Sequence, residues 1–129
     1  MDWFVRAFIK SSVAWLAVGV TLGVGMAINQ PWVVYRTAHI HINLLGFVGM
    51  MIFGVGLHVL PRFVGRALFS ERTADVQFVL VNAGLLVMVA GWLAGHALVA
   101  SAGGAVLWTG FLLFAVNVVM TVRPWGRRG

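Results

Sequence analysis

Residues 37 to 62 read Thr37-Ala-His39-Ile-His41-Ile-Asn43-Leu-Leu-Gly46-Phe-Val-Gly49, followed by Met50-Met-Ile-Phe53-Gly54-Val-Gly56-Leu-His58-Val-Leu-Pro61-Arg62. A His-x-His pair thus opens a long, apolar, glycine-rich run. Imidazoles are costly to bury in lipid, and ionisable side chains placed at depth usually have a role. His39 and His41 are therefore read as candidate ligands for a metal or a haem iron inside a membrane. The plainer alternative is a pair of helix-mouth histidines bonded to water and backbone.

The rest of the chain agrees with a lipid setting. Of 129 residues, 61% are hydrophobic and 9% charged, and mean hydropathy is +0.98. Soluble domains carry about a quarter charged residues, so a core of this size cannot hide so much apolar surface from water. There is no cysteine, which excludes disulfides, iron–sulfur clusters and thiolate-held haem or zinc. The excess of Lys and Arg, 9 against 3 Asp plus Glu, lies between the apolar runs instead of forming one patch, so nucleic acid is not the expected partner.

A crossing needs about 20 apolar residues. Four runs qualify or nearly so: residues 13–28, 38–60, 76–100 and 105–122. The expected fold is all-α, a single four-helix transmembrane domain over residues 1–129. The first run resembles a signal peptide, with Arg6 and Lys10 ahead of it and small residues near Ala27, but is read as a retained span beginning earlier than residue 13. Arg6, Lys10, Arg62, Arg66, Arg72, Arg123, Arg127 and Arg128 fall on one side of such a bundle and only Arg36 on the other. This bias predicts both termini in the cytoplasm, with Trp3 and Trp125 at the inner interface and Trp32 with Tyr35 at the outer one. The basic run from Arg62 to Arg72 is read as a solvated loop.

Pro61 is expected to end the second helix, Ser70 or Thr73 to cap the third, and Ser101-Ala102-Gly103-Gly104 to form the last tight turn. Gly19-x-x-x-Gly23 and Gly91-x-x-x-Gly95 fit close helix approach. Gly46, Gly49, Gly54 and Gly56 thin the second helix, either for a neighbouring helix or for a flat macrocycle. Asn82 and Asn117 are assigned to interhelical hydrogen bonds.

On an α-helix, positions i and i+2 are about 200° apart, so His39 and His41 face opposite ways and serve different sites. Asn43, Gly46, Met50 and Leu57 follow His39; Leu45, Val48, Ile52 and Val59 follow His41. His96 is placed near the outer end of the third helix at similar depth, as a second axial ligand or a hydrogen-bond partner. His58, about 25 Å below His41, is assigned to the inner interface. No carboxylate lies at depth, since Asp2, Glu71 and Asp75 all flank the spans.

The stretch resembles the catalytic subunit of the haem-copper oxidases, above all the C-type oxidases and the nitric oxide reductases. Thr37, His39, His41, Leu45, Gly46, Phe47, Phe53, Gly54, Pro61 and Arg62 match the tenth-helix pattern of the C-type subunits, over 26 residues. The wording around His41 is also similar to the His-Thr-Asn motif in the second helix of the reductases. The resemblance implies that His39 ligates a high-spin haem and His41 a low-spin haem. The family subunit has twelve helices in three arcs of four, so a homotrimer of this chain would resemble it in miniature. The departures are equally plain: four histidines in all, no adjacent His-His pair for copper, and one tyrosine, Tyr35. Oxygen reduction by one chain is not expected.

The expected protein is thus an integral b-type cytochrome of a bacterial or archaeal plasma membrane. It would bind haem b near the outer face through His39, His41 and, in one arrangement, His96. Electron transfer with a redox partner, or binding of nitric oxide or oxygen, would be its task, in a homo-oligomer with the trimer favoured. The alternatives are a haem-free accessory or assembly protein of an oxidase, and a haem enzyme converting nitric oxide or oxygen.

Overall fold

The computed structural model describes residues 1–123, and over these residues the chain is helical with no strand. Trp125, Arg127 and Arg128 lie outside them. Helix α1 covers Trp3–Ile28. The second crossing is composite: a 3-10 turn at Gln30–Tyr35, α2 at Arg36–His41, a π-helical segment at Ile42–Gly49, and α3 at Met50–Phe63. Helix α4 follows at Glu71–Leu93 and α5 at Ala97–Val122. All four crossings are long and apolar enough to span a membrane, with mean hydropathies of 1.8 to 2.1. The chain is an integral membrane protein. Most of each span faces outward, since between 17% and 39% of its most apolar stretch is buried within the molecule.

Two helical hairpins make up the bundle. Between α4 and α5 the backbones almost touch: a Cβ built on Gly84 would stand 2.4 Å from the Leu107 nitrogen, and one on Gly103 would stand 2.3 Å from the Met88 nitrogen. Gly91 packs in the same way on Ala100, at 2.3 Å. In lipid, where apolar burial drives little, such close van der Waals packing is what holds helices together. The other hairpin joins α1 to the second crossing. There Gly54 receives Phe8 and Ile9, both at 3.1 Å, and Gly46 receives Trp15 at 2.8 Å. Gly49 and Gly56 face Phe111 and Phe114 at 3.5 and 3.4 Å. Protein side chains thus fill the space in front of all four glycines, and the macrocycle explanation for them falls away.

An aromatic cluster joins the hairpins. Phe8 sits edge-on to Phe53 and Phe78, and Phe53 meets Phe111 and Phe114. Asn82 accepts from Ser11 Oγ at 2.6 Å and from Trp15 Nε1 at 3.2 Å, tying α4 to α1 as expected. Trp3, edge-on to Phe78, puts the start of α1 at the same end as the α3–α4 loop.

Three expected boundaries are corrected. The last turn is Ala94-Gly95-His96, not residues 101–104. Gly95 has φ +73, a left-handed conformation that suits glycine at a helix end, and the His96 amide closes the turn on Gly91 O at 2.8 Å. Gly103 and Gly104 belong to α5, and Gly91 and Gly95 are not a packing pair. The second crossing passes through Pro61 to Phe63, because proline in a last turn removes only the donor that would meet Leu57 O. Helix α4 begins at Glu71, five residues before residue 76, with Ser70 Oγ accepting from the Thr73 amide at 3.0 Å. The α3–α4 loop therefore shrinks to seven residues, 64–70.

Candidate functional site

The two histidines of the pair sit in the last turn of α2, directly above the π-helical segment. A π turn of this length is rare, and such distortions gather at functional sites. The two rings diverge, as the helical spacing requires. His39 turns toward α1, where its Nδ1 lies 2.8 Å from the Gly19 carbonyl. Gly23 makes room for it, since a Cβ there would come within 2.8 Å of His39 Cε1. Gly19 makes room in turn for Asn43, at 2.5 Å, whose amide donates to His39 O at 2.9 Å. The Gly19-x-x-x-Gly23 stripe is thus a seat for two polar side chains and not plain helix packing.

His41 turns the other way. Its Nδ1 lies 2.9 Å from the Thr37 carbonyl, and its ring rests on Trp92 of α4 with centroids 4.6 Å apart. Below it opens an apolar groove of about 310 Å³, lined by His41, Leu45, Met88, Gly104, Leu107, Trp108 and Phe111. The two stripes differ accordingly. Gly46, Met50 and Leu57 beneath His39 are buried, whereas Val48 and Ile52 beneath His41 are 42% and 55% exposed to lipid.

A carbonyl only accepts, so in the neutral ring of His41 Nδ1 carries the proton and Nε2 keeps its lone pair. Nδ1 of His39 faces both the Gly19 carbonyl and, at 3.2 Å, the amide nitrogen of Asn43, so its contacts do not select one tautomer. A carbonyl on the far nitrogen is the usual means of orienting a metal-binding imidazole. His58 is the reverse case. Its Nδ1 stands 3.0 Å from Arg62 Nη1, a group that only donates, so in the neutral ring the proton of His58 sits on Nε2. His96 is exposed and precedes the first turn of α5. It belongs to the start of the last helix, not to the end of the third, and it does not line the groove.

Among the described residues, no three His, Cys, Asp or Glu side chains converge. Axial ligation of a macrocycle, which brings its own equatorial donors, needs only one or two. The residues around His41 suit that demand: one lone pair in a wall otherwise apolar, beside a glycine with only Met88 Sδ near it, at 3.5 Å. The groove is at the small end of the range for small-molecule sites.

Compared with protein-family models, with curated proteins and with solved structures, the chain matches none.

Sequence reasoning did not find Trp92 or the Gly19–Asn43 contact. A clue for the nearby Trp15 was available. Tryptophan favours the interfaces, so an indole in mid-span needs a buried acceptor, which Asn82 supplies.

Proposed function

We propose that the chain is a membrane-integral b-type haem protein with His41 as the principal iron ligand. The observation that carries this reading is the Thr37–His41 contact, which in the neutral ring keeps the proton on Nδ1 and the lone pair on Nε2, beside an apolar groove. Haem, when bound, supplies reversible one-electron chemistry or an iron site for a diatomic gas. The chain's own residues do the rest. Thr37 O fixes the ring's tautomer, Trp92 buttresses its face, and Leu45, Leu107, Trp108 and Phe111 keep water away from the ligand.

In this reading the small groove holds one face of the haem and the other ligand comes from outside it. His39 of a neighbouring copy in a cyclic homotrimer supplies it most economically, because closed symmetry makes every such contact equivalent. His96 is the rival donor. With two histidines the protein transfers electrons to a redox partner; with one it binds nitric oxide or oxygen. The bias of basic residues supports cytoplasmic termini, a haem site toward the outer face, and a bacterial or archaeal plasma membrane as location.

An optical spectrum of detergent-purified protein, reduced with dithionite and then exposed to carbon monoxide, tests the proposal. Sharp split bands that ignore carbon monoxide support two histidine ligands, and a carbon monoxide shift supports one. Absence of a Soret band after supplementation with haem removes the proposal. It would leave the second reading, a haem-free accessory protein, which His39's bonding within its own protomer favours.

A further inference from the structure

The loop at the other end of the bundle is exposed at Gly65, Arg66, Ala67 and Phe69, as its composition suggests, yet its backbone is held in place. It is clamped to the end of α5. Phe69 N donates to Thr121 Oγ1 at 3.0 Å and Ser70 N to Asn117 Oδ1 at 3.1 Å, while Asn117 Nδ2 returns a bond to Ser70 O at 2.9 Å. Asn117 and Thr121 are buried and are used up in this clamp. At its start the loop folds back on α3: Gly65 N donates to Arg62 O at 3.2 Å and Arg66 N to Pro61 O at 2.9 Å, with Gly65 at φ +64. The Arg66 guanidinium then reaches the Arg123 carbonyl, and the Arg62 guanidinium is held by His58. Arg62, Arg66 and Arg123, all exposed, thereby lie around one turn.

Large aromatics flank them. Phe63 is 82% exposed and Phe69 52%. Rings left this bare at the end of a membrane helix fit the boundary between headgroups and acyl chains, where aromatic side chains collect. Guanidinium groups bind phosphate oxygens in a bidentate fork, and each needs only part of its five donors for the backbone contacts above.

We propose that the Arg62–Arg66–Arg123 turn is a binding site for the phosphate headgroup of an anionic phospholipid, with Phe63 and Phe69 inserted among the acyl chains beneath it. Basic clusters next to helix ends are the usual seat of such lipids. Here the clamp by Asn117 and Thr121 orders the site in advance, so little loop entropy is lost on binding. His58 gains a role that the haem reading leaves open: it orients Arg62 from one turn above.

The test is native mass spectrometry of the full chain released from detergent, with phosphatidylglycerol, cardiolipin or phosphatidylcholine added. Retained anionic-lipid adducts and few phosphatidylcholine adducts are expected. The triple variant Arg62→Gln, Arg66→Gln and Arg123→Gln should bind about a hundredfold more weakly, at roughly fivefold per arginine. Arg36→Gln at the opposite end should bind as the parent does. Circular dichroism of the triple variant checks that it stays helical; if it does not, Phe63→Ser with Phe69→Ser, which touches no clamp bond, should weaken binding by at least about tenfold. Equal binding of phosphatidylcholine, unchanged binding in the variants, or displacement of the lipid by millimolar inorganic phosphate would overturn the proposal.

Discussion

His39 Nδ1 lies 2.8 Å from the Gly19 carbonyl, and this contact joins the histidine pair to a helix 20 residues earlier in the chain. It exists because Gly19 and Gly23 leave no side chain in its way. Adding a methyl group at either position should therefore disturb the site before it disturbs the fold. In Gly23→Ala the new Cβ would lie 2.8 Å from His39 Cε1. A loss of about 1 to 3 kcal/mol is expected, as for other overpacked interiors, together with altered haem coordination. Thermal unfolding in detergent and the optical spectrum measure the two effects.

A sharper contrast is expected between two adjacent glycines of α5. Gly103→Ala puts a Cβ 2.3 Å from the Met88 backbone nitrogen, where nothing flexible can yield. Gly104→Ala meets only Met88 Sδ at 3.5 Å. The first should separate α4 from α5 and lower the unfolding temperature by many degrees; the second should leave it within about a degree or two of the parent. Similar stability of the two variants would mean that the α4–α5 register is wrong.

The error in placing the last turn has the same origin. Residues 76–122 contain no charged side chain, so nothing marks where one helix stops. Two adjacent glycines after Ser101 look like a turn, and a Gly-x-x-x-Gly pattern around Gly91 looks like a seam. The roles of Gly95 and Gly103 are reversed, Gly95 making the turn and Gly103 packing on a helix, while Gly91 does pack closely, on Ala100. Small residues serve both ends, and only the partner backbone tells them apart. The four spans were legible because the lengths of the apolar runs are set by the bilayer. The divergence of His39 and His41 was legible because it needs only helical geometry. The π-helical segment was not, since no residue among Ile42–Gly49 announces it. Nor was the direction of each ring, which depends on where α1 and α4 lie.

Coordination should respond unequally to the four histidines. His58→Ala should leave haem content near that of the parent, because the ring lies far down the same crossing from His41, against Arg62. His96→Ala should be mild, since this residue stands apart from the groove. His39→Ala should convert a six-coordinate haem into a five-coordinate one in the trimer arrangement. Loss of the sixth ligand from His96→Ala, in a monomer that keeps its haem, would instead place both ligands within one protomer.

Topology is open to direct measurement. A cytoplasm-specific reporter fused after Gly129 should be active, and one inserted between Asn29 and Trp32 should report the outer side, following the eight-to-one division of basic residues. The reverse pattern would move the histidine pair to the cytoplasmic face and change the source of its electrons.

The role of His41 is tested most directly by the haem content of the purified parent chain beside that of His41→Ala. The parent should carry about one b-type haem per protomer, and His41→Ala should carry almost none, regaining a Soret band when imidazole is supplied to the emptied position. Equal haem in the two proteins, or none in the parent after haem supplementation, would contradict the assignment of His41 as the iron ligand.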